Sequence, residues 1–273
     1  MVKKLFKHEF LAHLRIMGVV YVILLTIAGA GRLIQCFEQD NIPYKIVSSA
    51  SILTYGVSVM GAFAFTFVLA IVRFYKNLFT AEGYLSFTLP VTPAQHIFVK
   101  SVTALTMELI TFLAVLLSGC IITAGEVLAE IWKAAAYLLD KLHAVIGFQD
   151  LWIGTECILL LVLWLLADIM LYYLFIAIGQ LFKKHRILAA VGAYFAYYIL
   201  TQILSTVGIV IFSVFATSSS FDKFMAWLWE FIGEHPYVFV HSWLWLAMLI
   251  PAALSLVSFF VIKKIITKKL NLE

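Results

Sequence analysis

Residues 151–182 read LWIGTECILLLVLWLLADIMLYYLFIAIGQLF. A helix needs roughly 20 mostly apolar residues to cross the hydrocarbon core of a bilayer, and this run exceeds that length. It therefore reads as a membrane-spanning helix with residues to spare for tilt, a kink or extension past the headgroups. Comparable apolar runs lie outward from it on both sides, at 16–34, 49–72 and 98–124 before it and at 187–216 and 242–262 after it. Six such runs predict an all-α polytopic membrane protein with six transmembrane helices.

Composition sets the same bound. Of the 273 residues, 64% are hydrophobic and only 12% are charged, with a mean hydropathy of +1.03. A soluble domain carries about 25% charged residues, and half that fraction cannot cover a water-facing surface. The length suits one transmembrane domain over residues 1–273. Cys36, Cys120 and Cys157 lie apart, in or beside apolar runs. They have neither metal spacing nor the look of a disulfide framework.

The net charge of +4 is a topology signal and not a nucleic-acid footprint. With the N-terminus inside, the inner segments hold Lys3, Lys4, Lys7, Arg15, Arg73, Lys76, Lys100, Lys183, Lys184, Arg186, Lys263, Lys264, Lys268 and Lys269, fourteen of the nineteen basic residues. Only Arg32, Lys45, Lys133, Lys141 and Lys223 fall outside or at the outer ends. Most acids, from Glu38 and Asp40 to Glu230 and Glu234, fall outside. Loops rich in Lys and Arg stay in the cytoplasm, so both termini are expected there. Charged residues persist through Arg15, which is too far for the first region of a cleaved signal peptide.

Three further segments are amphipathic. Residues 2–15 put Val2, Leu5, Phe6, Phe10 and Leu14 on one helical face, with Lys3, Lys4, Lys7 and His13 elsewhere. The pattern suits a basic interfacial helix on the cytoplasmic side, over 1–15, leading into the first span. The predicted extracellular segments 125–150 and 217–241 each contain an amphipathic stretch, the second bearing Phe224, Trp227, Trp229 and Phe231.

The inner connection between the second and third runs, residues 74–98, is unusual. A short connector is expected to be polar and rich in turn residues. This one is long and semi-apolar, with Phe79, Tyr84, Leu85, Phe87 and Leu89. Thr80 and Gly83 suggest a short turn. Thr92 before Pro93 predicts an N-cap followed by a helix that runs into the third span. Apolar side chains here need cover, either from the protein's own helices or from a partner.

Residues 79–95, FTAEGYLSFTLPVTPAQ, resemble a run of the form F-T-x-E-G-Y-L-x-F-T-L-P-V found between spans two and three of bacterial ABC transporter permeases of the type 2 exporter class. The basic amphipathic start and the six spans agree with that likeness. The resemblance implies a permease subunit of an ATP-driven exporter in the bacterial plasma membrane. It implies a coupling helix in this loop that docks on a separately encoded ATP-binding subunit. It also implies a pairing of two permease chains, identical or different. ATP and magnesium would belong to the partner subunit, and this chain would need no cofactor. Phe79, Glu82, Gly83, Tyr84, Leu85, Pro90, Thr92 and Gln95 are the positions carried over as ATPase-facing or loop-shaping.

No G-x-x-x-x-G-K-[ST] sequence is present to cradle nucleotide phosphates, and no H-E-x-x-H, G-x-S-x-G or C-x-x-C motif occurs. The expectation is a protein that is not itself an enzyme. His143, His235 and His241 fall in outer segments at irregular spacing, with no metal set expected from them. Glu108 and Asp168 fall near the middle of spans three and four, at 1.5 Å of rise per residue. An acid in a span is costly and calls for a role. Three readings are open: helix packing, lining of a transport path, or ion coupling in a secondary transporter. Gly56, Gly61, Gly192 and Gly208 are candidates for close helix approach.

Overall fold

The computed structural model describes residues 2–37, 40–80, 83, 88, 90–146, 150–182 and 184–269. The described residues form helices and connections, with no strand among them. The helices are α1 (Val2–Cys36), α2 (Ile42–Phe79), α3 (Pro93–Ile122), α4 (Glu126–Ile146), α5 (Asp150–Gly179), α6 (Arg186–Ala216), α7 (Ser219–Glu234) and α8 (Pro236–Lys269). Six of them, α1, α2, α3, α5, α6 and α8, are long and apolar enough to cross a membrane. The chain is an all-α polytopic membrane protein, as the apolar runs predict.

Two compact units divide the chain near Leu138. In the first, α1, α2 and α3 pack against one another, and the buried stripes explain how. On α2 the buried stripe is Ala62, Thr66, Ala70, Phe74 and Leu78, each four residues after the last, with Phe79 also buried at the helix end. Small side chains at three of them allow helices to approach closely, which is how membrane helices gain packing without a hydrophobic driving force. On α1 the stripe is Met17, Leu24, Ala28 and Gly31, and on α3 it includes Ala104, Met107, Thr111 and Ser118. The glycines singled out in the sequence do not serve here. A Cβ added at Gly56, Gly61, Gly192 or Gly208 would meet nothing within 4 Å. Close approach belongs to the alanines and threonines because they, and not those glycines, fall on the buried stripes.

The stripe on α2 also sets its length. Phe74 and Leu78 continue the four-residue repeat, so the helix runs on to Phe79. Since α3 begins at Pro93, the connection itself is 80–92, shorter than the 74–98 read from composition. The amphipathic segment 2–15 is likewise continuous with the first apolar run in α1. Neither glycine nor proline occurs from residue 2 to 17 to break it.

In the second unit α5 packs along α8 and, less extensively, along α6. Ala167, Tyr173 and Ala177 of α5 are buried, as are Met248, Ser258 and Ile262 of α8. The α5–α6 turn depends on Gly179. A Cβ there would meet the Arg186 carbonyl oxygen at 2.5 Å and Ala190 at 2.8 Å. Across the turn His185 adopts the left-handed conformation, at φ 58°. No residue of α6 is buried. The segment 125–150 is largely α4, entered through Gly125 at φ 83°, a conformation glycine adopts without a Cβ penalty. The segment 217–241 holds α7 and the first turn of α8.

Candidate functional site: the base of the α2–α3 connection

Four charged or amide side chains from three helices meet where α2 ends and α3 begins. Glu9 of α1 is buried and at the centre. Its Oε2 accepts from the Arg73 guanidinium at 3.1 Å. Its Oε1 accepts from Asn77 Nδ2 at 2.9 Å and from Lys100 Nζ at 2.7 Å. Arg73 and Asn77 occupy the last two turns of α2, while Lys100 lies two turns into α3. One carboxylate thus ties α1 to both stems of the connection.

The electrostatics explain why the group is tolerated. An isolated buried carboxylate is very costly, and so is a buried ammonium. Lys100 is 5% exposed in its side chain and Arg73 20%, so their attraction to Glu9 is weakly screened. The trio carries one negative and two positive charges. Beside it, buried His13 places Nδ1 3.1 Å from the Glu9 carbonyl oxygen.

The carried-over loop residues divide into three groups. Phe79 is buried and packs edge-on against Phe74, with centroids 5.7 Å apart. Gly83 is buried and donates its N–H to the Thr80 carbonyl at 2.7 Å. A Cβ on Gly83 would stand 2.7 Å from the Leu78 carbonyl oxygen, so only glycine fits there without displacement. Thr92 and Gln95 form a capping box. Thr92 Oγ1 accepts from the Gln95 N–H at 3.4 Å, and Gln95 Oε1 accepts from the Thr92 N–H at 2.9 Å. These two polar side chains satisfy helix-end donors that would otherwise lack partners. Pro90 is exposed just before them. Glu82, Tyr84 and Leu85 lie outside the described residues. Thr80 turns its hydroxyl back onto the Lys76 carbonyl, at 2.6 Å, while its own carbonyl accepts from the Gly83 N–H.

Deeper in the same unit a second polar tier joins the same three helices. Tyr21 Oη and Thr111 Oγ1 lie 2.8 Å apart, as do Thr66 Oγ1 and Thr111 Oγ1. Tyr55 and Ser118 add a tie between α2 and α3 at 3.0 Å. Glu108 is half-buried on α3, one turn before Thr111. Asp168 belongs to the other unit. It is exposed on α5, beside Trp164, Leu165 and Leu161 in an open groove.

The sequence reading missed Glu9, Asn77 and Glu156. For Glu9 a signal exists. Glu9, His13 and Met17 follow one another at four-residue spacing, on the line that becomes the buried stripe of α1. The face predicted from Val2, Leu5, Phe6, Phe10 and Leu14 is only half-buried. Glu156 is buried on α5, with Oε1 2.6 Å from His241 Nδ1 and accepting from Trp245 Nε1 at 3.3 Å. That pairing assigns His241 to a helix–helix contact. Among the described residues no cluster of three or more metal-ligating side chains occurs.

Neither a protein-family model, nor a curated protein, nor a solved structure matches the chain.

Proposed function

We propose that the chain is the membrane-spanning permease subunit of an ATP-driven ABC exporter, with the α2–α3 connection as the dock for a separate ATP-binding subunit. The observation that carries this reading is the coincidence of two features. The run resembling the permease loop spans 79–95, and its two stems are the ones held by Glu9. A segment that receives force from a partner needs rigid stems, because a loose loop absorbs displacement instead of passing it on.

The rest of the mechanism follows from that docking. ATP binding draws two ATPase subunits together, and their motion enters two permease chains through the connections. The permeases then exchange between states that bind substrate differently, without which no net transport follows. The basic loops support a cytoplasmic side for the connection and both termini, and the likeness of residues 79–95 to the permease loop supports a bacterial plasma membrane. In the loop, Tyr84 and Leu85 are the apolar anchors and Glu82 the charged contact. Phe79, Gly83, Thr92 and Gln95 shape and hold the loop, which their packing, close approach and capping bonds support.

The test is a mild-detergent pull-down from native membrane with mass spectrometry of what comes with the chain. A stoichiometric soluble protein bearing a Walker A sequence, lost when Tyr84 and Leu85 are changed to Ser, is the expected result. Recovery of the chain without any ATPase across several detergents overturns the reading. The secondary-transporter reading then comes next, with Glu108 and Asp168 as its first targets.

A further inference from the structure

We propose that Glu9 is a positioning residue that links the two stems of the α2–α3 connection to each other and to α1, so that a displacement of the connection reaches three helices together. The inference rests on reading the connection as the point where force enters. It adds that the N-terminal turns of α1 belong to the coupling device, and it names the side chain responsible.

Three observations carry it. First, one side chain serves both stems, with Glu9 Oε2 toward α2 and Oε1 toward α2 and α3 together. Removing it takes away all three bonds at once. Second, α1 is one continuous helix from Val2 to Cys36, so a tilt imposed at Glu9 passes along it toward the span. Third, the tier formed by Tyr21, Thr66 and Thr111 joins the same three helices. Glu9 and Tyr21 are twelve positions apart on α1, about 18 Å along the axis. Ties at two separated levels make three helices move as one packet, whereas a single tie is a pivot.

Simple stabilisation is the competing account. Well-packed apolar side chains would stabilise such a site as well as an ion cluster or better, and the surrounding stripes are already apolar. An ion cluster differs in fixing which atoms stay together when the helices shift.

The test is hydrogen exchange on the full chain in nanodiscs, with Gly83→Ala as the disturbance of the connection. The added Cβ must displace the end of α2 at Leu78. In an otherwise unaltered chain, G83A is expected to raise exchange about fivefold both in 2–17 and in 93–97, the size that ~1 kcal/mol of opening free energy gives. With E9Q already present, G83A should add nothing further in either segment. With K100M, which keeps the Glu9–Arg73 pair, it should still act on 2–17 and no longer on 93–97. Additive effects of G83A and E9Q overturn the proposal, as does a full response at 93–97 in K100M. The K100M arm decides if E9Q fails to fold. Since the chain is measured alone, absence of an ATPase in the pull-down removes the driver without touching this linkage.

Discussion

Thr66 of α2 and Thr111 of α3 place their hydroxyl oxygens 2.8 Å apart in the buried centre of the first unit, with the Tyr21 hydroxyl 2.8 Å from Thr111 on the other side. Each threonine also contacts a carbonyl of its own helix, Ala62 for Thr66 and Met107 for Thr111. Three hydroxyls supply three protons, so at most three of these four contacts are hydrogen bonds at once. Thr111→Val removes the shared partner and leaves Tyr21 without one here. Hydrogen bonds between membrane helices contribute about 0.6 kcal/mol on average and reach ~1.7 kcal/mol. T111V should cost about 1–2 kcal/mol in a thermal or denaturant titration of the detergent-solubilised chain. Thr66→Val should cost less, since Tyr21 and Thr111 still pair. Equal losses would show that the tier does not act through Thr111.

Within the ion cluster the substitutions should rank by the charge they leave behind. Glu9→Gln strands buried Lys100 and half-buried Arg73, and breaking a buried pair in this way costs about 3–5 kcal/mol. Lys100→Met leaves Glu9 with Arg73, a neutral pair, and should cost clearly less. Asn77→Ala removes a single bond to a charged acceptor, worth ~1.5–3 kcal/mol at most. Thermal stability measured by size-exclusion chromatography after heating should therefore fall furthest in E9Q. A K100M variant less stable than E9Q would contradict the charge count.

Gln95 is a residue for which capping and partner contact make different predictions. Glutamate at the third helical position completes a capping box as well as glutamine does. Gln95→Glu should leave exchange at 93–97 near its original rate. Thr92→Ala, which removes the cap oxygen, should weaken the first turn of α3 by about 1 kcal/mol. A Gln95→Glu chain that keeps its helix start yet loses a bound ATPase would assign Gln95 a direct contact.

The glycines divide sharply. Gly179→Ala sets a Cβ against backbone at 2.5 Å, which overpacking data price at about 1–3 kcal/mol or more. Gly56→Ala and Gly61→Ala meet open space. They should be neutral or slightly stabilising, by up to about 1 kcal/mol through better helix propensity. Comparing the yield and melting temperature of the three variants checks this directly. Sensitivity at Gly56 or Gly61 would point to a neighbour from another chain on that face of α2.

Six long apolar runs needed no tertiary information, because a bilayer imposes length and hydropathy on each helix separately. The capping box at Thr92 and Gln95 was partly legible for the same reason, since Thr92 and Pro93 act on the helix they begin. In 2–15 hydropathy marked the face of Leu5, Phe6 and Phe10, while packing within the unit chose Glu9 and His13. Such a choice rests on Arg73, Asn77 and Lys100, which are distant in sequence, and no local pattern carries their positions. Close approach at the glycines was equally illegible, because it depends on which face meets a neighbour. The sequence by itself determined how many helices there are, how long they are and what medium they suit. Only the tertiary structure decided which buried polar groups find each other, since a buried charge is tolerable only where another helix delivers its partner.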